Sequence, residues 1–296
     1  MINAWVVPAS MFSLMFAMGL TLTLDDFRRV LALPRATVVG TGVQLVAMPL
    51  VGLGLAHAFD LEPLLAAGLV IMAACPGGVM SNMFVHLGKA DTPLSITLTA
   101  TATAVTLITI PLWVRLVLAE AGPAAAGVEM PVLETALRLG TFTVLPVAIG
   151  MAVRSWRPES ARHERWLSRL SAVAIVVALT IESIRSDDPA LPALESSWPA
   201  ALLLLLAALV LGLGLPRLAR LDWRETVTIA VEVCIKNTVL GLFVATQALG
   251  SLEAAVPILV FMSFQLPVGI AVLVGYNLWL RHRQRIEQRA EPEPLN

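Results

Sequence analysis

Charge is scarce in this sequence. Asp, Glu, Lys and Arg make up 14% of its 296 residues, and hydrophobic residues 57%. Soluble domains carry about 25% charged residues, and the mean hydropathy of +0.82 points the same way. An ordinary water-soluble globule is excluded. Cysteine is scarcer still: Cys75 and Cys234 both lie in apolar segments, which leaves no disulfide framework and no CxxC redox or zinc motif. The four histidines, His57, His86, His163 and His282, are scattered without metal-ligand spacing. HExxH, GxSxG, the P-loop and GxGxxG are all missing. The reading is of a non-enzyme that needs no resident cofactor.

What is present is a series of apolar runs of about 20 residues, each long enough to cross some 30 Å of hydrocarbon. Bounded by Pro, Gly and charge clusters, they read as nine spans, at 4–24, 35–57, 62–88, 91–118, 131–153, 166–185, 198–219, 222–249 and 254–280. The fold class is an all-α polytopic membrane protein whose main partner is the lipid bilayer. No basic n-region precedes the first run, so 4–24 reads as a retained helix. Sixteen of the 20 basic residues fall in alternate loops or the C-terminal tail, within 28–35, at Lys89, and within 154–169, 217–224 and 281–289. The positive-inside rule then sets the N-terminus outside and the C-terminus in the cytoplasm, in a cell (inner) membrane. Arg115, Arg138 and Arg185 remain on the outer side, and Lys236 in the membrane. Because topology accounts for the arginines, no nucleic-acid partner is implied. Residues 25–36 read as an interfacial turn and 281–296 as a cytoplasmic tail. Nothing points to an obligate protein partner.

Two spans are unlike the rest. The third contains AACPGGVMSN, residues 73–82. Proline removes a donor and crowds the preceding turn, and each glycine weakens a helix interior. A break is expected here, with Ser81 and Asn82 opening the second half-helix. The eighth span carries VEVCIKNTVL, residues 231–240, with an acid, an amine and an amide where one charge costs at least ~2.5–3.5 kcal/mol. It has no proline to enforce a break. The two spans are five apart, as in an inverted five-helix repeat lacking its first helix. Paired interrupted helices of this kind mark the midplane site of a secondary transporter. Span four adds SITLTATATAVTLIT, residues 95–109, with Ser95 and Thr99 on one face.

Together MFAMGLTL (15–22), ACPGGVMSN (74–82) and EVCIKNTVLG (232–241) resemble the bile acid:sodium symporter family, in its nine-helix form. The resemblance runs from Trp5 to Leu280. It implies a panel domain of spans one, five and six (1–34 and 131–185) and a core domain of spans two to four and seven to nine (35–118 and 198–280). Two broken helices would cross in the core, and the domains would rock about a substrate crevice. It also implies a sodium site of Ser81, Asn82, Ser95, Thr99 and Glu232, all oxygen donors suited to a hard cation. A second sodium site maps to Gln44, Glu232, the carbonyls of Val233 and Ile235, and the position of Lys236. The family typically has glutamine at that position.

The lysine is a departure. An ammonium is a tethered monovalent cation without an acceptor, and spacing of four residues is expected to set it on one helix face with Glu232. Lys236 then replaces the second sodium, leaving a single Na⁺ or, through lysine deprotonation, H⁺ as coupling ion. Other departures are Val79 and Met80 at the first break, and Gln265 and Leu266 in span nine. The substrate expected is a small organic anion, with Asn237 and Thr238 as direct contacts and Gly78, Val79 and Gln265 lining the crevice. A proton-coupled or sodium-independent anion transporter is the alternative. A further one is a metalloid exporter using Cys75 and Cys234 as soft ligands.

Overall fold

A computed structural model describes residues 2–28, 34–125, 127, 130–185 and 190–290. The described residues are helical, with no strand among them. The helices are α1 Ile2–Gly19, α2 Leu24–Arg28, α3 Pro34–Gly42, α4 Met48–Ala58, α5 Pro63–Ala74, α6 Val79–Leu87 and α7 Thr92–Ala121. Beyond them come α8 Val132–Trp156, α9 Glu164–Arg185, α10 Ala190–Leu218, α11 Trp223–Cys234, α12 Thr238–Phe243 and α13 Val256–Ala290. A π turn at Val43–Ala47 joins α3 to α4 in one rod, and another at Val244–Ala248 extends α12.

Among the described residues, five helices are long and apolar enough to cross a bilayer: Pro34–Ala58, Thr92–Ala121, Val132–Trp156, Pro192–Leu218 and Glu253–His282. Trp5–Gly19, Pro63–Ala74 and Thr238–Ala248 are shorter apolar helices. The chain is therefore a multi-pass helical membrane protein. Three boundaries differ from the sequence reading. α10 begins at Ala190, ahead of the expected 198. α13 continues to Ala290, so the segment expected as tail begins helical, and residues 291–296 lie outside the described part. The turn expected at 25–36 begins as the short helix α2, where Thr23 N and Oγ1 both donate to Asp26 Oδ2, at 2.8 and 2.7 Å. Residues 29–33 lie outside the described part.

The helices pack in two groups, joined where α7 lies against α8. α1 packs against α8 and α9. It meets α8 so closely that a Cβ on Gly19 would stand 2.2 Å from Val147 O, and one on Gly150 would stand 2.3 Å from Phe16 O. Small residues are what allow helix backbones to approach within a membrane. α10 packs on α11 and α13, and α5 packs on α4, α7 and α13. This second neighbourhood holds the buried polar residues Gln44, Ser81, Ser95, Thr99, Glu232, Lys236 and Gln265.

Proline alone does not break these helices. Pro8, Pro111, Pro146, Pro199, Pro216 and Pro267 all sit inside continuous ones. The two true interruptions, after Ala74 and after Cys234, lie side by side. Gly77 and Lys236 form an isolated antiparallel bridge, and Asn237 N donates to Pro76 O at 2.8 Å. The backbone freed at one break is satisfied at the other, as the absence of water at membrane depth demands.

Candidate functional site

Each break has a glutamine assigned to it. Gln44, on the π turn, accepts from Gly77 N through Oε1 at 2.9 Å. Gln265, on α13, accepts from Lys236 N at 3.0 Å. An unmet backbone donor within a bilayer costs several kcal/mol, so these two side chains hold the crossing open as irregular backbone. Beyond the first break, Ser81 Oγ accepts from Gly78 N at 3.0 Å and donates to Gly78 O at 2.7 Å. The half-helix α6 thus opens at Val79 and not at Ser81; Gly78 is its cap, and the serine, in the third helical position, reaches back to it. Asn237 is itself the cap of α12, its Oδ1 accepting from Leu240 N at 3.1 Å.

Glu232 stands on the last turn of α11, fully buried. Its Oε1 accepts from Ser95 Oγ in a short hydrogen bond, and its Oε2 from Thr99 Oγ1 at 2.8 Å. Asn82 Oδ1 competes for the same two hydroxyls, at 2.7 Å from Ser95 and 3.3 Å from Thr99. A hydroxyl carries one proton, so two protons serve three acceptor oxygens, one set bearing a full negative charge. The carboxylate also presses on the break: a Cβ on Gly77 would stand 1.9 Å from Glu232 Oε2 and 3.0 Å from Ser81 Oγ. Ser81, Asn82, Ser95, Thr99 and Glu232 therefore converge, from α6, α7 and α11. Asn82 is half-buried, the others fully.

The expected Glu232–Lys236 face is corrected. The chain leaves the helix at Ile235, with φ −104° and ψ 90°, so the i,i+4 rule no longer operates. Lys236 Nζ turns away to Ala73 O at 2.9 Å and Cys75 O at 2.6 Å, the carbonyl end of α5. Last-turn carbonyls carry the negative end of the helix dipole and have no intrahelical partners. Gln44 does not join the ammonium either. Its oxygen is committed to Gly77, and its Nε2 is buried without a partner.

The remaining expected residues surround the crossing without forming one surface. Asn237 and Thr238 are nearly buried, Gly78 lies against Asn237, Val79 is half-buried and Met80 exposed. Gln265 is occupied by the backbone of the break and not displayed to a crevice. Cys75 and Cys234 are fully buried free thiols. Sequence reasoning missed Trp113, whose Nε1 donates to Leu45 O at 3.1 Å and so steadies the π turn that carries Gln44. A tryptophan in an apolar run gives no sign of such a contact.

The profile of the Sodium Bile acid symporter family matches residues 8–185. The chain is 29% identical over 250 residues to the uncharacterized sodium-dependent transporter YocS of Bacillus subtilis (strain 168), covering 84% of this chain and 75% of that protein. It is 30% identical over 259 residues to the probable chloroplastic sodium/metabolite cotransporter BASS1 of Arabidopsis thaliana, covering 86% and 63%. It is 28% identical over 224 residues to the human ileal sodium/bile acid cotransporter, covering 76% and 64%. The chain thus spans three quarters of the bacterial protein and less than two thirds of the other two.

Proposed function

The chain belongs to the sodium bile acid symporter family, a family of transporters and not of enzymes, and from that premise we propose that it moves a small organic anion by sodium-coupled alternating access. The observation that carries the reading is the surplus of acceptor oxygens around Glu232, two hydroxyl protons among three acceptors. A desolvated cluster of that kind is matched by a hard monovalent cation held by Ser81, Asn82, Ser95, Thr99 and Glu232. The second cation is the chain's own: Lys236, seated on two helix-end carbonyls. Gln44 Oε1 already accepts from Gly77 N.

Charge explains the coupling. Empty, the core carries Glu232 and Lys236, which cancel. With one Na⁺ it is positive by one, and one monoanion restores neutrality. Only the empty and the fully loaded forms are neutral, and a net charge buried at membrane depth is costly. The half-loaded forms are the ones that do not rock. In this reading the moving bodies are a panel of spans one, five and six (1–34, 131–185) and a core of the rest (35–118, 198–280). Nine spans put the N-terminus outside and the C-terminus in the cytoplasm of a cell inner membrane. The substrate meets Asn237, Thr238, Gly78 and Val79 where the breaks cross.

The test requires no substrate. Thermal unfolding of the purified chain is followed in NaCl against KCl and choline chloride; ligand at a hundred times its Kd adds about 2.7 kcal/mol to native stability. Wild type is expected to respond to Na⁺ alone, and Glu232→Gln to respond to none. If wild type is silent and Lys236→Gln responds, the lysine has displaced sodium altogether and proton coupling takes its place. Silence from both sinks the sodium site.

A further inference from the structure

The turn between α10 and α11 is rich in arginine, and it stands at the mouth of a groove of about 440 Å³ cut between α10, α11 and α13. One face of α13 forms its length: Val268, Val272, Gly275 and Trp279 follow at helical spacings, opposed by Leu213 of α10 and Val227 of α11. Its walls are apolar or aromatic throughout. Val268 lies at the middle of the span Glu253–His282 and Trp279 near its end. The groove therefore follows α13 for roughly 16 Å at 1.5 Å per residue, about half of a ~30 Å hydrocarbon layer. That is the depth of one leaflet. Gly275 keeps it open, since a Cβ there would meet nothing within 4 Å. The mouth has a different chemistry. Trp223 and Trp279 meet there with ring centroids 5.6 Å apart, and Tyr276 stacks on Trp279 at 6.0 Å. Such rings gather at the membrane–water interface. Arg217 is exposed, and its Cζ stands 4.7 Å from the centre of the Trp223 ring, an arrangement that holds a guanidinium in place. Its Nη1 donates to Leu221 O, which leaves the rest of the fork for a ligand. Arg220 and Arg224, on the same turn, are also exposed. The acids of the turn are engaged in the cap of α11: Glu225 N donates to Asp222 Oδ1 at 2.7 Å, and Asp222 N to Glu225 Oε2 at 2.9 Å. Among the described residues no ion pair joins them to these arginines.

We propose that this groove is a binding site for one anionic phospholipid, an acyl chain lying along α13 and the phosphate held by Arg217. The groove is as deep as one leaflet, it is apolar along that depth, and its cationic group stands at the end where a headgroup would lie. A guanidinium fork matches a phosphate, and basic pockets between membrane helices take anionic headgroups. The leaflet is the one on the side of the α10–α11 turn, the cytoplasmic leaflet in the topology given above. Nothing else is taken from the transport reading, since this lipid is neither substrate nor coupling ion. Behind the groove, Val227 and Tyr276 pack in one buried cluster with Val231 and Ile235, the residue at which α11 ends. A lipid seated here completes the packing that backs the second break.

The probes are dioleoylphosphatidylglycerol and dioleoylphosphatidylcholine, which share their chains and differ in charge. Each is titrated into the full chain in a neutral detergent, and bound lipid is counted by native mass spectrometry. Wild type is expected to hold one phosphatidylglycerol about tenfold or more tightly than phosphatidylcholine, the scale of a charged hydrogen bond, and to melt higher with it. Arg217→Gln is expected to bind the two lipids equally. Gly275→Leu fills the groove from an exposed position and is expected to lose the tight phosphatidylglycerol. Gly54→Leu, exposed on α4 where a Cβ also meets nothing within 4 Å, is expected to bind as wild type does. Melting in lipid-free detergent certifies that each variant is folded. Equal affinity of wild type for both headgroups, or full phosphatidylglycerol affinity in Arg217→Gln or Gly275→Leu, overturns the proposal. So does tight binding of short-chain dihexanoylphosphatidylglycerol, which would mean that a phosphate is read without the groove. A dimer of the chain that Gly275→Leu separates would give the groove to a second copy and overturn it equally.

Discussion

At Glu232, glutamine would keep the shape of the side chain and remove its charge. The neighbouring hydroxyls would still find an oxygen, so packing changes little, but Lys236 would become an uncompensated buried cation. Removing one member of a buried charge pair costs about 3–5 kcal/mol, and a comparable loss is expected for Lys236→Gln, which also strips the donor from Ala73 O and Cys75 O. Both single variants are therefore expected to melt below wild type, and the double variant Glu232→Gln/Lys236→Gln above the sum of the two losses. The residues do not touch, so a positive coupling in this cycle reports charge balance across the crossing and not a contact. Additive losses would show that the two charges are stabilised separately, each by its own hydrogen bonds, and would remove the charge argument for coupled loading.

At the scale of elements, the crossing depends on Gly77 having no side chain. A methyl there would meet Glu232 Oε2 and approach Ser81 Oγ. Gly77→Ala is expected to cost roughly 1–3 kcal/mol as an overpacked site and to abolish the sodium-dependent shift in unfolding. A variant that melts lower yet keeps the full shift would separate the break from the oxygen cluster. The breaks also mark what local sequence conveys. CPGG announces the first, because proline and glycine act on their own backbone. The second was expected from the correspondence of spans, since nothing in EVCIKNTVLG forces it; it is held by Gln265 and Pro76, far away in the chain. The i,i+4 pairing of Glu232 with Lys236 failed for the same reason. Helical periodicity was applied across a segment whose helix ends between the two residues. The oxygen donors were legible as residue types at matching motif positions. The π turns at Val43–Ala47 and Val244–Ala248 leave no local pattern in the sequence.

At the scale of the whole molecule, the proposed topology puts the start of α1 outside and the end of α13 in the cytoplasm. The charge distribution supports that orientation, since cytoplasmic loops attract Lys and Arg and α13 ends in Arg281, Arg283, Arg285 and Arg289. Cysteine labelling decides it. Cys75 and Cys234 are fully buried, so a membrane-impermeant maleimide should ignore the unaltered chain. Trp5→Cys, exposed near the start of α1, is expected to label in intact cells. His282→Cys, exposed on α13, is expected to label only after the membrane is opened. Reversed labelling would turn the molecule over. Labelling of both positions in intact cells would mean that the chain crosses the membrane an even number of times between them. That outcome would remove the nine-span topology, and with it the placing of the two ends of the chain's helices on opposite sides.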